Sequence, residues 1–500
     1  MKNKQKVIII GAGVAGLSAG VYAQASGFEV EIYEQHFLAG GFCTNWKRKG
    51  YTFEGGLHWL TGSRESTYMH KVWREIGAIT DDTKIHVRDP HVVYDHFGTK
   101  VCLYRDIKKL ENHLVEVSPD DEKQIKKLCK NITRFSKVEM PIIDIKGLKR
   151  KHKSGLKMSS AFAMLPAAFR LKQFNKMPAK KFIAKFKSDA IKGFLESIVS
   201  GEHSTTKLMF TLGLFVYGDG GFLEGGSKGM IGGIVNKFES LGGKIFYKTS
   251  VYKVLVENKN AVGVLLDNGE KIMADGGIIV TTDTTIATEK FFDKPIAEPW
   301  IEKVRGYKNK SVVSSFISLG IEADLSSQPG HLEYALETPL EFAGHKYNAL
   351  EFYNYAGYRD FAPEGHSVLT MIIMGDNYDF WKTAKENGTY EDEKQKFADL
   401  VIERFTKQVP EAAGKIRYID VATPLTYERY TKSYRGAWMS KIMAGDMLKI
   451  FPKKSKTIKG LYFAGFRLIS PGGLPIAAVT GRKATQYLCR DNKAVFGELL

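Results

Sequence analysis

The sequence predicts an α/β protein in which a Rossmann-like domain, assembled from discontinuous segments, is joined to an α+β domain with a mixed β-sheet. The chain has 500 residues, which is enough for two domains. A glycine-rich turn joins a strand to a helix at residues 7–26, and a second strand–turn–helix pattern occupies residues 461–488. Between them lie several short runs of β-branched and aromatic residues, which are typical of strands.

The N-terminal unit has the order of a dinucleotide-binding site. VIII at 7–10 is a continuous apolar run that predicts a buried parallel strand, and Gly11, Gly13 and Gly16 follow as G-x-G-x-x-G. Gly11 makes the turn, Gly13 lets the backbone approach a pyrophosphate, and Gly16 permits close packing of the helix on the strand. The helix N-terminus supplies unpaired N–H groups for phosphates. A second strand, EVEIYE, ends on Glu34, whose carboxylate can accept hydrogen bonds from a ribose.

Two further glycine-rich segments indicate that the dinucleotide is FAD. GGFCTNWKRKGYTFEGGLHWLTG begins at Gly40, and GLYFAGFRLISPGGLPIAAVTGRKATQYL spans residues 460–488. The latter predicts a strand, a Gly/Pro turn and a helix with Pro475 in its first turn, where proline is tolerated. An additional helix N-terminus directed at the ligand can stabilise negative charge on a reduced flavin ring. No second G-x-G-x-x-G unit follows a strand, so we expect no separate NAD(P) domain.

These segments resemble those of carotenoid desaturases, carotenoid isomerases and retinol saturases, a family of FAD-dependent oxidoreductases. The resemblance rests on the N-terminal unit, on GG-x-C-x-T with G-x-x-F-x-x-G-x-H, and on AG…SPGG-x-P-x-A-x-x-x-G, and it extends to residues 225–283 and 420–438. One departure is Phe466, where many relatives carry an acidic residue. The resemblance implies FAD as cofactor and these cofactor-binding residues: Gly11, Ala12, Gly13, Val14, Ala15, Gly16, Glu34, Gln35, Gly40, Gly41, Phe42, Gly56, Leu57, His58, Val251, Thr282, Gly465, Gly473, Leu474, Pro475 and Ala477.

The positions of the FAD motifs divide the chain into two domains. We expect residues 1–80, 225–300 and 435–500 to form the FAD-binding domain, and residues 81–224 and 301–434 to form the substrate domain. Within the substrate domain the patterns predict a hairpin at 91–104 around Phe97-Gly98, strands at 314–321, 349–357 and 367–375, and amphipathic helices at 119–135 and 389–409.

His58 is the candidate catalytic residue. The resemblance implies that it lines the substrate side of the flavin, but a histidine between glycines and beside an aromatic residue also suits a structural role. Cys43 is expected to be a small buried thiol rather than a flavin linkage or a redox group. Glu54 is expected to accept hydrogen bonds from backbone N–H groups or from the ribityl chain of the flavin.

Composition limits the compartment and the cofactor type. The four cysteines are scattered, with no CxxC pair and no zinc-like spacing, so we expect neither a disulfide scaffold nor a metal site. The N-terminal residues imitate a secretion signal, but three glycines dilute the apolar run and FEVEIYE continues as a strand. No stretch has the roughly 18 unbroken apolar residues of a spanning helix. We expect a cytoplasmic protein with peripheral membrane contact.

Residues 145–187 form a basic segment that contains thirteen Lys or Arg and no Asp or Glu, within a chain of net charge +18. Apolar residues recur through this segment at helical spacing: Met158, Phe162, Leu165, Phe169, Phe182, Ile183 and Phe186. A cationic amphipathic stretch predicts contact with an anionic membrane surface. The alternative is a solvated charged face over core helices. No nucleic-acid motif is present, so we expect no nucleic-acid partner.

The function predicted is an FAD-dependent oxidoreductase acting on carbon–carbon bonds of an apolar, polyene-like lipid such as a carotenoid or retinoid. Desaturation, saturation and flavin-assisted isomerisation all remain open. One alternative is an amine-oxidase-like flavoenzyme on the same architecture, in which an aromatic cage holds a neutral amine. Another is a non-catalytic chaperone or lipid carrier that FAD stabilises. The sequence leaves the electron partner open among a quinone, oxygen, a protein and transient nicotinamide.

Overall fold

The structure, a computed structural model, describes residues 4–138, 142–150, 170–446, 449–497 and 499. The helices are α1 (Val14–Ala25), α2 (Tyr68–Glu75), α3 (Ile107–Val117), α4 (Glu122–Phe135), α5 (Ala179–Ile183), α6 (Asp189–Ile198), α7 (Thr205–Val216), α8 (Gly226–Ser240), α9 (Thr284–Lys290), α10 (Pro299–Gly306), α11 (Tyr378–Glu386), α12 (Tyr390–Gln408), α13 (Pro424–Thr431) and α14 (Leu474–Asp491). The strands are β1 (Lys6–Ile10), β2 (Glu29–Tyr33), β3 (Asn45–Arg48), β4 (Tyr51–Glu54), β5 (Ile85–His86), β6 (Val93–His96), β7 (Thr99–Cys102), β8 (Phe222–Leu223), β9 (Lys244–Phe246), β10 (Val251–Glu257), β11 (Asn260–Leu266), β12 (Lys271–Met273), β13 (Gly277–Val280), β14 (Ser311–Val312), β15 (Ser314–Ile321), β16 (His331–Phe342), β17 (His345–Asn354), β18 (Ser367–Met374), β19 (Ile416–Ala422), β20 (Met439–Ser440) and β21 (Leu461–Phe463).

A parallel sheet of order β21-β13-β1-β2-β9 carries the N-terminal glycine turn at the end of its central strand. Val7, Ile8 and Ile9 of β1 are fully buried because one face packs on α1, α8 and α14 and the other on a second core that includes α10. The strands come from three separated stretches of chain. This arrangement confirms the predicted Rossmann-like fold built from discontinuous segments, while the exact domain boundaries stay a prediction.

The second large sheet is mixed and has the strand order β19-β15-β18-β17-β16-β6-β7. All of its neighbouring strands are antiparallel except β16 and β6. One face packs on α11 and α12 through buried Trp381, Phe397 and Phe405. The predicted mixed sheet is therefore confirmed.

A helical cluster lies beside this sheet. Helices α3, α4, α6 and α7 bury a common core that includes Leu114, Leu128, Phe194 and Leu212. The core also contains Tyr94 of β6, so the cluster is packed directly on the edge of the mixed sheet. Together they enclose the space into which the cavity described below extends.

The predicted hairpin at 91–104 is confirmed as β6 and β7. Phe97 and Gly98 join the strands with φ of 51° and 92°, the two positive values that a type I′ hairpin turn requires. The predicted helix at 119–135 begins only at Glu122, because Pro119–Asp121 form a separate 3-10 turn. The predicted strand at 349–357 instead runs from His345 to Asn354, since pairing with β16 fixes its length.

The basic segment is described in part, at residues 145–150 and 170–187. Met158, Phe162, Leu165 and Phe169 lie outside the described residues. The other three apolar residues, Phe182, Ile183 and Phe186, belong to the helical core, so a membrane-facing role for them is wrong. The lysines around them are exposed, as both the predicted membrane contact and the solvated-face alternative require.

Within the described ranges, none of the helices combines the length and the apolar character that crossing a membrane requires.

Candidate active site

A cavity of about 2320 Å³ begins at the carboxyl ends of β1, β2 and β13 and extends to helices α4 and α7. In open α/β sheets, ligands bind at the carboxyl ends of the strands. The volume exceeds the roughly 300–1,000 Å³ that one small-molecule site occupies. The cavity therefore has room for a dinucleotide at one end and a second molecule at the other.

The glycine turn forms one end of the cavity. α1 begins after Gly13, which has no side-chain cap, so the first N–H groups of the helix remain available at the cavity wall. A Cβ at Gly13 would find no atom closer than the Gly40 carbonyl oxygen at 4.0 Å, and this leaves the backbone open to a ligand. A Cβ at Gly16 would instead lie 1.9 Å from the Gly11 carbonyl oxygen, so the packing of α1 requires glycine there.

Glu34 lies where β2 ends, with 8% of its surface exposed. Its Oε2 accepts a hydrogen bond from the Ala12 N–H at 2.7 Å, and its Oε1 accepts one from the His36 N–H at 2.8 Å. Burial raises the pKa of Glu34. Each carboxylate oxygen keeps a further acceptor position, which suits the hydroxyls of a ribose.

The N-terminus of α14 lines the same end of the cavity. Gly473 precedes the helix without a side-chain cap, and Leu474, Pro475 and Ala477 lie on the cavity wall. The Gly465 N–H donates to Thr480 Oγ1 at 2.9 Å, which ties the end of β21 to the helix. The uncapped N–H groups of α1 and α14 and the position of Glu34 are the features that an FAD site needs, so the residues fit this cofactor.

Thr282 also suits a bound cofactor. Its buried Oγ1 has no hydrogen-bond partner among the described residues, and the residue lines the cavity. A buried hydroxyl without a partner is costly unless a ligand or water satisfies it.

All of the predicted cofactor-binding residues line the cavity except Ala12, Gly16 and Leu57. Those three lie behind the wall: Ala12 orients Glu34, Gly16 allows the packing of α1, and Leu57 is fully buried. The structure thus gathers residues from distant parts of the sequence at one end of the cavity. Their individual contacts with FAD stay a prediction.

Glu54 organises the loop that carries His58. Its fully buried carboxylate accepts hydrogen bonds from the N–H groups of Gly56 and Leu57, both at 3.0 Å, and from the Ser227 N–H at 2.8 Å and the Ser227 hydroxyl. Burial raises the pKa of Glu54, and these hydrogen bonds oppose the shift. Glu54 therefore joins the loop to the N-terminus of α8. Its hydrogen bonds with backbone N–H groups confirm the prediction from the sequence, whereas its partnership with α8 was not predicted.

His58 is held by aromatic residues. Its Nδ1 lies 2.7 Å from Tyr355 Oη, and its ring stacks on Tyr353 at 4.6 Å between centroids. Burial, followed by the charges of Arg88 and His331, lowers the pKa of His58 to about 3. The ring is consequently neutral near pH 7, and its Nε2 has no partner in the part of the chain that the structure describes.

Cys43 is 1% exposed, and its Sγ lies 3.5 Å from Ser227 Oγ. Burial raises the pKa of the thiol to about 12, with a smaller contribution from Glu54. Since the thiolate is the reactive form, Cys43 is an inert thiol at neutral pH.

The sequence missed an ion pair at the cavity wall. Asp283 accepts a hydrogen bond from Arg467 Nε at 3.0 Å, and both side chains are almost fully buried. Asp283 also accepts from the Tyr434 N–H at 3.0 Å, and the Arg467 charge lowers its pKa despite burial. One feature of the sequence could have indicated Asp283. It is an acidic residue that follows a parallel strand, β13, as Glu34 follows β2.

The far part of the cavity, which we call the chamber, is mainly apolar. Its wall is formed by six side chains on or beside α4, α6 and α7: Phe135, Leu171, Ile198, Phe210, Leu214 and Phe215. The polar residues His331, Glu333 and Glu351 of β16 and β17 also line it, as does Lys207, whose pKa burial lowers to about 8. Sequence analysis identified none of these, because they come from separate segments without a local motif.

Comparison with known proteins gives relatives across almost the whole chain. Prolycopene isomerase of Daucus carota is 25% identical over 502 residues, which cover 97% of this chain and 80% of that protein. All-trans-retinol 13,14-reductase of Danio rerio is 24% identical over 472 residues, covering 86% and 76%. A solved structure of putrescine oxidase bound to putrescine has a TM-score of 0.61 at 14% identity, covering 97% of this chain and 98% of that chain, and this likeness shows the fold.

The family model described as flavin-containing amine oxidoreductase matches residues 14–489. This match covers most of the chain and confirms the predicted flavin cofactor and oxidoreductase class. The chain belongs to the flavin-containing amine oxidoreductase family.

Proposed function

We propose that this protein catalyses hydrogen transfer at a carbon–carbon bond of an apolar, polyene-like lipid such as a carotenoid or retinoid. The reaction is a desaturation, a saturation or a redox-neutral isomerisation. The observation that carries the proposal is the continuity of the cavity, which leads from the dinucleotide end into an apolar chamber. The names of two relatives, a prolycopene isomerase and an all-trans-retinol 13,14-reductase, support the same substrate class.

The residues proposed to hold FAD divide by the part of the cofactor that they suit. The N–H groups at the start of α1 suit the pyrophosphate, and Glu34 suits the adenosine ribose. The start of α14 and the loop from Gly56 to His58 suit the isoalloxazine ring. When bound, FAD supplies the acceptor or donor of a hydride.

The side chains around the reacting bond are proposed to exclude water and to orient the substrate. His58 is neutral at pH 7 because burial lowers its pKa to about 3, so it holds no proton to give as an imidazolium. We therefore propose His58 as a wall residue fixed by Tyr355, rather than as the general acid that the sequence left open. The apolar side chains of the chamber wall would limit the access of water, and with it side reactions of the reduced flavin.

The amine-oxidase alternative finds less support in the aromatic residues near the loop. Phe42 and Tyr427 stack with centroids 5.7 Å apart and planes at 19°. That separation is direct ring contact, so no amine fits between these two rings. The likeness to putrescine oxidase concerns the fold and does not choose between the substrates.

Peripheral membrane contact is proposed for the basic side of the chamber. Lys172 and Asn175 line the cavity, while Lys176, Lys180 and Lys185 are exposed nearby in sequence. Each lysine close to an anionic leaflet contributes about 1 kcal/mol. Sedimentation with anionic vesicles should show binding that weakens with salt, and charge-reversal at these three lysines should abolish it; equal absence of binding to anionic and neutral vesicles would refute the contact.

We propose that the flavin exchanges electrons directly with a quinone, oxygen or a transiently bound nicotinamide, without a dedicated nucleotide-binding domain. Anaerobic reduction of the yellow protein by each candidate donor, followed by re-oxidation with each acceptor, separates these. Rapid bleaching by a primary amine, with no response to a polyene or to a reduced carrier, would favour the amine alternative and contradict the proposal.

A further inference from the structure

The chamber contains a polar cluster that the proposed reaction leaves without a role. His331 and Glu333 of β16 and Glu351 and Tyr353 of β17 all line the cavity. In the strand register Glu333 is opposite Glu351, and His331 is opposite Tyr353. Residues two apart on a strand share a face, so the four side chains form one continuous patch.

The two carboxyl groups belong to residues that lie opposite each other on the paired strands. His331 Nε2 lies 2.9 Å from Glu351 Oε2, and among the described residues no Lys or Arg forms an ion pair with either glutamate. Directly opposed like charges destabilise a strand pair, and two carboxyl groups that share a site retain one proton. Burial and the charge of Glu351 raise the pKa of Glu333 well above its ordinary range, and this shift favours the protonated form of the Glu333 carboxyl group.

The patch is joined to His58 by stacked rings. Tyr353 stacks on His58 at 4.6 Å and on His331 at 4.1 Å between centroids. Two ring nitrogens along this stack, His58 Nε2 and His331 Nδ1, are buried without a partner among the described residues, and His58 is only 8% exposed. His58 lies on the loop beside the dinucleotide end. The rings of Tyr353 and His331 lie between His58 and the glutamate pair, so the pair is further into the chamber.

We infer that Glu333 and Glu351, supported by His331, bind a neutral oxygen at the end of the substrate, a hydroxyl or carbonyl group, while the apolar chain extends toward the loop of His58. This inference rests on the proposed function and defines its substrate as a polyene with an oxygen-bearing end rather than a hydrocarbon throughout. The pair acts as a binding and specificity group, not as a catalytic one, because the rings of Tyr353 and His331 separate it from the loop of His58.

The chemistry of the patch favours an oxygen-bearing end of the substrate over a hydrocarbon end. A protonated carboxyl donates one hydrogen bond, and a hydroxyl or carbonyl oxygen accepts it. A polar site also rejects a ligand that lacks its polar group, because the buried donor is then left unpaired.

The test uses the FAD-loaded full-length protein and two ligands, an all-trans polyene alcohol and its deoxy hydrocarbon with the same carbon skeleton. Binding is followed by perturbation of the flavin absorbance, and product formation by chromatography. The wild type should bind the alcohol about tenfold to a hundredfold more tightly than the hydrocarbon.

Three variants assign this preference. Glu333→Met should reduce the ratio of the hydrocarbon Kd to the alcohol Kd to about one, because only the binding of the alcohol is weakened. Glu333→Gln, whose amide still donates a hydrogen bond, should keep the alcohol Kd within about threefold of the wild-type value. Glu337→Met is the matched control, since Glu337 is exposed on the same strand, and it should change nothing. If Glu333→Met does not retain FAD, Glu333→Leu is used in its place. The ratio of the two Kd values in the wild type tests the inference with either variant.

The contrary outcomes are distinct from a failure of the proposed function. Equal binding of both ligands to the wild type, with turnover of either, would overturn the end-group inference and leave the proposed function intact. An unchanged ratio in Glu333→Met, or tighter binding of the primary amine of the same skeleton, would also overturn the inference. Absence of binding and turnover with both polyenes would overturn the proposed function and the inference together.

Discussion

The dinucleotide end and the chamber of the same cavity are built by different means. The dinucleotide end consists of backbone groups: glycines, two uncapped helix N-termini and strand ends, with Glu34 as its main side chain. The chamber consists of side chains from β16, β17 and helices α4, α6 and α7. Backbone sites tolerate little change because a Cβ alone destroys them, whereas side-chain sites can be altered residue by residue to suit a new substrate.

The largest effect is expected from a substitution at the dinucleotide end. Gly16→Ala places a Cβ 1.9 Å from the Gly11 carbonyl oxygen, a backbone atom that cannot move aside. We expect loss of at least about 90% of the bound flavin, or loss of soluble protein, measured as the ratio of flavin to protein absorbance. Gly20→Ala in the same helix meets only side-chain atoms, at 3.0 Å, and should retain flavin; equal flavin content in the two variants would contradict this account.

The next effect concerns Glu54, which joins the loop of His58 to the N-terminus of α8. Glu54→Ala leaves the buried N–H groups of Gly56, Leu57 and Ser227 without their acceptor. The free energy of unfolding should fall by about 3 kcal/mol. Urea titration measures this loss, with Glu364→Ala, at an exposed position, as the control; a change below about 1 kcal/mol would mean that the loop is held by other contacts.

A smaller effect is expected for His58→Ala. FAD should remain bound, because the contacts of His58 are to Tyr355 and Tyr353 rather than to the backbone of the glycine turn. Turnover should fall by less than about tenfold, since a neutral ring at pH 7 contributes position and not a proton. A much larger loss of kcat with unchanged flavin content would make His58 a catalyst.

The same residue predicts a pH dependence of stability. Between the unfolded-state value near 6.5 and the folded-state pKa of about 3, the unfolded chain binds more protons at His58 than the folded chain. The free energy of unfolding therefore rises with pH in this window. As the pH falls below about 6.5, His58 should lower the free energy of unfolding by about 1 kcal/mol per pH unit. His58→Asn should flatten the slope between about pH 7 and pH 5 in urea titrations. Parallel slopes in the wild type and the variant would show that His58 is not the buried neutral group described.

The smallest effect is expected at Cys43. Its buried thiol, with a pKa raised to about 12, should resist alkylation in the FAD-loaded protein at neutral pH. Cys43→Ala should leave the flavin spectrum and turnover unchanged. Rapid labelling of Cys43 by iodoacetamide, detected by mass spectrometry of peptides, would show that the wall opens in solution.

The same contrast explains what the sequence could and could not predict. The glycine turn, Glu34 and the strand at 314–321 follow local rules of turn geometry, strand ends and apolar runs, and the structure contains them at the expected positions. Glu333 and Glu351 are separated by a hairpin whose register is set by tertiary packing, so no spacing in the sequence reveals that they meet. Phe182, Ile183 and Phe186 show the converse, since an amphipathic pattern does not say whether its apolar side faces a membrane or a core.

The most direct test of the central claim is an anaerobic incubation of the FAD-loaded protein, in its oxidised and its dithionite-reduced forms, with an apolar polyene. We predict that one of the two forms yields a product that has gained or lost two hydrogen atoms, or an isomer of unchanged mass, detected by chromatography with mass spectrometry. Unchanged polyene in both forms, together with bleaching of the oxidised flavin by a primary amine, would contradict it.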